Sequence, residues 1–264
     1  LTEIGSKAFE ECEELKEIIL NDGLKTISGF AFSLTQNLSE ISIPDSVKYI
    51  GSECFAYSGI ENAKLPENND YTEVSWKIFV GCKKLKSVKL PDNINAISNY
   101  AFNGCTSLQH INLEKIDRIG SLAFAYTALK KITLNATTID PWAFAKCEHL
   151  EEADLSGIAA IKLSSHLFFN CKNLSKINLP KNQIKVFDDN CFYLTAINEI
   201  VFDAKKVIVK SQAFGFTKLK KVVVDKSCDN IQLSDYAFRK ADIGELVIPD
   251  FMSAYFNDMI DRIM

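Results

Sequence analysis

Apolar and polar positions in this chain repeat with a period longer than any single helix or strand. Phenylalanine stands at Phe9, Phe32, Phe55, Phe79, Phe102, Phe124, Phe144, Phe168, Phe192, Phe214 and Phe238, at spacings of 20 to 24 residues. Five residues before every one comes a large apolar residue: Ile4, Ile27, Ile50, Val74, Ile97, Ile119, Ile139, Leu163, Phe187, Val209 and Leu233. Three residues after each comes a small one: Cys12, Thr35, Ser58, Cys82, Cys105, Thr127, Cys147, Cys171, Thr195, Thr217 and Ala241. A run of the form Leu-x-x-Ile-x-Leu follows, as in Leu85 to Leu90 and Leu174 to Leu179. A fixed period of this size marks a stacked repeat array.

The second half of that run alternates apolar and polar, which predicts one short strand per unit with a single buried face. A unit this short cannot cover its own apolar side, so neighbours must stack and place their strands in a parallel ladder. The segment around each phenylalanine, such as Ser98-Asn-Tyr-Ala-Phe102-Asn-Gly-Cys105, predicts a single helical turn opposite the strand. Units at Phe55, Phe124, Phe192, Phe214 and Phe238 reach their next Leu or Ile one residue early, and all five lack cysteine at the small position. Extra polar residues at Asn68-Asn69-Asp70-Tyr71 predict a loop that leaves the stack undisturbed.

The unit Ala-Phe-x-x-Cys-x-x-Leu-x-x-Ile-x-Leu-Pro, followed by a segment such as Asn93-Ile-Asn-Ala-Ile97-Ser, resembles the leucine-rich repeat of the BspA-like family. The resemblance runs from Leu1 to about Pro249. It implies a right-handed solenoid with a parallel concave sheet and a convex side, within a larger cell-surface or secreted protein. Adhesion or host-protein binding is the role it implies, with no catalytic residues to carry over.

The fold class expected is therefore α/β: a leucine-rich-repeat solenoid of about eleven repeats, with a concave parallel sheet and short convex helical turns. The array takes residues 1–249. Leu1-Thr-Glu-Ile4 aligns with Leu24-Lys-Thr-Ile27, so the chain opens inside a unit and further residues are expected upstream. Residues 250–264 form the second region. Phe251, Tyr255, Phe256, Met259, Ile260 and Ile263 fall on one side at helical spacing after Asp250, which predicts a C-terminal capping helix.

Composition changes this picture little. The chain has 264 residues, 47% hydrophobic and 24% charged, with a net charge of −4. Scattered Lys and Arg give no basic face suited to nucleic acid, and no apolar run approaches the ~18 residues of a membrane helix. Eight cysteines invite a disulfide or metal reading. Five share the small phase with Thr, Ser and Ala, which points to thiols that fill volume in a core. Cys82 with Cys105 and Cys147 with Cys171 sit one rung apart, about 4.8 Å, so bridges between them remain open by distance. No metal and no cofactor is expected, since no Cys-x-x-Cys pair exists and His110, His149 and His166 fall at three different phases. The same scatter argues against an enzyme. Sequons at Asn37, Asn135 and Asn173 give a weak indication of a secretory route.

The outward strand positions carry the candidate site. One column reads Glu17, Glu40, Asn62, Ser87, His110, Lys131, Glu152, Lys176, Glu199, Lys221, Glu245, alternating in sign from Lys131 onward. That alternation suits attraction between neighbouring rungs. The next column ends in Val201, Val223 and Val247, an apolar stripe that either marks a contact surface or reflects the high strand propensity of valine. The site expected is a partner-binding face made of Val201, Val223, Val247, Lys176, Glu199, Lys221 and Glu245. The partner class is a protein, with host extracellular proteins among the candidates. The alternative function is a structural spacer that presents other domains of a longer surface protein.

Overall fold

Each turn of the chain has three sides, and in every turn but the first, two of them are strands; in the first turn the strand expected at Glu17 to Ile19 is not formed. The structure, a computed structural model, describes residues 1–252. On the first face lie strands at the predicted positions: Glu40–Ser42, Asn62–Lys64, Ser87–Lys89 and His110–Ile111 in one sheet, Lys131–Thr133, Glu152–Asp154 and Lys176–Asn178 in the next, then Glu199–Phe202, Lys221–Val224 and Glu245–Val247. All pair in parallel with their neighbours in the same sheet.

The second strand per turn was not foreseen. It ends on the apolar residue five before the phenylalanine and builds three further parallel sheets. These run Glu3–Ile4 to Tyr49–Ile50, Glu73–Val74 to Thr138–Ile139, and Lys162–Leu163 to Asn230–Leu233. Most of these strands are two residues long, below what a period-two pattern can reveal.

The third side corrects the expectation of helical turns. Among the described residues the one helical element is a 3-10 turn at Asp250–Met252. The predicted capping helix otherwise lies on residues 253–264, outside the described residues. Around every phenylalanine the residues two before and two after have positive φ, from Lys7 (61°) and Glu11 (58°) to Tyr236 (64°) and Lys240 (51°). An α-helix of L-residues admits no such alternation.

The cause lies in bonds between turns. Each phenylalanine N–H donates to the carbonyl just before the next phenylalanine, as in Phe9 to Ala31 and Phe102 to Ala123 (both 2.8 Å). The residues two before and two after donate in the same way, as in Lys77 to Asn99 (3.1 Å) and Gly81 to Asn103 (2.8 Å). Left-handed backbone costs about 1–2 kcal/mol per non-glycine residue. Here it points alternate N–H groups at the neighbouring turn, where each satisfied bond offsets much of that cost.

Inside, the eleven phenylalanine rings form one column. Successive ring centroids lie 5.2 to 5.9 Å apart with planes within 23°, from Phe9–Phe32 to Phe214–Phe238. Offset stacks of this kind add roughly 0.5–1.5 kcal/mol per pair beyond burial. The column passes the Asn68 insertion unchanged, with Phe55 and Phe79 at 5.4 Å. The second face does not: its ladder stops between Tyr49–Ile50 and Glu73–Val74. There Asn68 replaces it, donating its amide to Asp45 O (2.9 Å) and Val47 O (2.7 Å).

The small column beside the rings is polar as well as compact. Thr35, Thr127, Thr195 and Thr217 each donate their hydroxyl to the phenylalanine carbonyl of their own turn, at 2.8 to 2.9 Å. Cys82, Cys105, Cys147 and Cys171 donate their thiols to the phenylalanine carbonyl of the preceding turn, at 2.9 to 3.1 Å. The reading of these thiols as volume filler is thus incomplete, because they also satisfy a buried acceptor. All eight cysteines are free in the structure.

Candidate functional site

The seven candidate residues divide between two sheets. Val201, Val223 and Val247 stand in direct register, as do Glu199, Lys221 and Glu245. Their strands bury the alternate residues Ile200, Phe202, Val222 and Val224, so the valines and charges face outward. Val201 is 41% exposed and Val247 38%, and Val223 between them is less exposed than either. The valine stripe is therefore a shallow strip bordered by charge.

Lys176 belongs to the neighbouring sheet. It pairs in register with Glu152, whose other partner is Lys131, and the ion pair there is Lys131 with Glu152 at 3.0 Å. Lys221 and Glu245 lie 3.6 Å apart. The sign alternation from Lys131 to Glu245 is thus interrupted between Lys176 and Glu199, where no ladder joins the two strands. Exposed pairs of this kind are each worth about 0.2–1 kcal/mol, so they tune register more than they hold the fold.

The histidines do not converge. His110 lies exposed on the first face, His149 is exposed beyond the third side, and His166 stacks on Trp142 with centroids 3.8 Å apart. Burial against these rings lowers the His166 pKa, and the charges of Asp189 and Asp188 oppose that shift. Burial likewise raises the thiols of Cys54, Cys105, Cys171 and Cys191, and pushes Cys82 up to about 11. Such thiols are poor nucleophiles. Among the described residues no three His, Cys, Asp or Glu side chains are placed to hold a metal ion, and no helix is long and apolar enough to cross a membrane.

Two clusters escaped the reading of the sequence. On the turn side Trp142, His166, Phe169, Tyr193 and Phe216 form a chain of ring contacts outside the core. Reading the residues next to each phenylalanine by phase, as was done for the strands, would have exposed it. The second cluster is Asp188, a buried carboxylate bonded to Lys162 (2.5 Å) and Lys210 (2.7 Å) from the turns before and after. Burial works to raise its pKa, but the hydrogen bonds from the two lysines prevail and hold it below the usual carboxylate range. Ser or Gly usually occupies that phase, which was the available signal.

The sequon asparagines have a structural task. Asn37, Asn135 and Asn173 each donate their side-chain amide to a backbone carbonyl of the preceding turn, Glu13, Glu114 and Glu148, at 2.7 to 3.0 Å.

Comparison with known proteins places this architecture. No curated protein matches the chain. Among solved structures it is similar to a leucine-rich repeat protein from Bacteroides ovatus, at 23% identity and a TM-score of 0.65 over 98% of this chain and 79% of that one. It is also similar to a leucine rich cell surface protein from Faecalibacterium prausnitzii, at 23% identity and a TM-score of 0.51 over 88% and 76% of the two chains. The pneumococcal vaccine antigen PcpA shares 19% identity and a TM-score of 0.52 over 94% of this chain and 66% of that one. At these identities the likeness is one of fold. The model of the BspA type leucine rich repeat region matches residues 1–75, 72–162 and 138–258, nearly the whole length. With its eleven stacked turns and unbroken phenylalanine column, the chain belongs to the BspA-type leucine-rich repeat family.

Proposed function

We propose that this chain is an adhesion-type binding module, cell-surface or secreted, that contacts a partner protein through its first strand face. One observation carries the reading: Val201, Val223 and Val247 align in register beside Glu199, Lys221 and Glu245 on a sheet whose other face is core. An apolar strip edged by charge suits a protein surface, since burying it gains hydrophobic energy while the charges orient the partner. The description of the Faecalibacterium protein as a cell surface protein supports the location. Host extracellular proteins are the partner class this reading favours.

The test is capture of purified extracellular-matrix and serum proteins on the immobilised array, with Val223→Asp in parallel. Capture by the native array that fails with Val223→Asp is the result expected. Capture that survives the substitution removes the stripe from the interface. A spacer role draws on a different observation, the turn-side bonds that link every pair of neighbouring turns. It predicts no capture by either form.

A further inference from the structure

The two strand faces are interrupted at different places, and one interruption leaves an open site. Between the turns of Phe168 and Phe192 the second face is continuous, Lys162–Leu163 pairing with Val186–Phe187. The turn side is continuous too, with Phe168 N–H on Cys191 O at 2.9 Å and the rings 5.6 Å apart. Only the first face parts, between Lys176–Asn178 and Glu199–Phe202.

At neighbouring rungs Leu134 N–H reaches Asp154 O (2.9 Å), Leu155 N–H reaches Asn178 O (2.8 Å) and Ser175 N–H reaches Glu151 O (3.1 Å). The equivalent bonds from Leu179 N–H to Val201 O and from Asn198 N–H to Ser175 O are not formed. A cleft of about 520 Å³ opens there, within the range of ligand sites. Its floor includes Ile177, Leu179, Ile184, Phe187 and Ile200. Ile177 and Leu179 are half-exposed, while the corresponding residues one turn earlier, Ala153 and Leu155, are fully buried.

The charges in the lining balance. Glu152 is paired with Lys131, which leaves Lys176 and Lys181 against Glu199 and Asp203. A cleft with no net charge does not select a phosphate or another ion. Its exposed lining is mixed and somewhat more polar than apolar, with Ile177 and Leu179 supplying the apolar part beside open main-chain edges, and that combination matches an extended polypeptide.

We propose that the cleft between Lys176–Asn178 and Glu199–Phe202 receives an extended, uncharged segment of a partner protein. The segment's main chain bonds the open edges and one apolar side chain enters over Ile177 and Leu179. The proposal rests on the reading of the first face as a binding surface and specifies what that face recognises.

The test is a titration of the ¹⁵N-labelled chain with the capped peptide Ac-Thr-Val-Leu-Val-Thr-NH₂, following backbone amide signals. Saturable shifts at Ile177, Leu179 and Asn198 are expected. The same peptide N-methylated at alternate residues keeps its side chains and loses main-chain donors, so it should bind about tenfold more weakly or worse. Ile177→Ala should weaken the unmethylated peptide, and Ser42→Ala, exposed on a distant rung of the same face, should leave its affinity unchanged. Three results overturn the proposal: no saturation at millimolar peptide, equal binding of the methylated peptide, or shifts centred on Val223 and Val247. The last of these would leave the broader reading of the face standing. Peptide binding at the cleft, together with partner capture that survives Val223→Asp, would instead remove the stripe and keep the cleft.

Discussion

The turn side and the first strand face are made by the same turns of the same chain, yet one is unbroken and the other is interrupted twice. On the turn side each phenylalanine N–H from Phe9 to Phe214 finds the next turn at 2.8 to 3.1 Å, and every ring stacks on its neighbour. On the first face the ladder stops after His110–Ile111 and again after Lys176–Asn178. The difference follows from chain length. The nine residues from the apolar position five before each phenylalanine to the small position three after never vary in number, and all length variation falls outside them. A block of constant length repeats its bonds without adjustment. The first-face strand sits beyond that block, seven or eight residues after the phenylalanine; that shift is tolerated between Glu40–Ser42 and Asn62–Lys64 but accompanies the break between Lys176–Asn178 and Glu199–Phe202.

If the constant block carries the stability, the largest effect should come from its centre. Phe124→Ala should cost about 3–5 kcal/mol in urea unfolding, for a large buried ring lost from a packed column. The same truncation at half-exposed Ile177, beside the cleft, should cost far less; equal costs would break the comparison. Gly59 tests close approach at a short unit, since an added methyl would lie 2.0 Å from Gln36 O. Gly59→Ala should therefore destabilise by about 1–3 kcal/mol.

Asp188 ties three turns at the corner of the block. Asp188→Asn should cost about 2 kcal/mol at neutral pH, the scale of hydrogen bonds to a charged group. Its folded pKa lies below the ordinary value of 3.8, so its contribution is complete above that value and is lost as pH falls through the folded pKa. The native and Asp188→Asn unfolding curves should accordingly converge in strong acid, and a gap that persists there would point to packing as the cause. Cys105→Val keeps the volume and removes the thiol donor to Phe79 O, for about 1 kcal/mol, whereas Cys105→Thr should recover part of it through its own turn's carbonyl. Smallest is Lys221→Gln, which removes the exposed pair with Glu245 and should change stability by about 0.5 kcal/mol or less, fading with added salt.

Much of the array was legible beforehand. The ring column, the first-face strands and the registered valines all follow from residues at constant phase, and burial of one apolar face dictates stacking. The second strand ladder was not legible, because strands of two residues leave no alternation to read. The split of the candidate site was also hidden. Lys176 and Glu199 sit at equivalent phases in consecutive units, and whether those units pair on that face depends on how the intervening residues 179–198 close the turn.

What the sequence by itself determined is the repeat: its period, its buried phenylalanine column and the small position beside it. These are fixed by which side chains must leave water. What only the tertiary structure decided is the backbone of the third side and the opening in the first face. Left-handed φ falls on Lys, Glu, Tyr, Trp and Leu, residues with no preference for it, because the N–H groups of one turn must meet the carbonyls of the next. That requirement exists only once the turns are stacked.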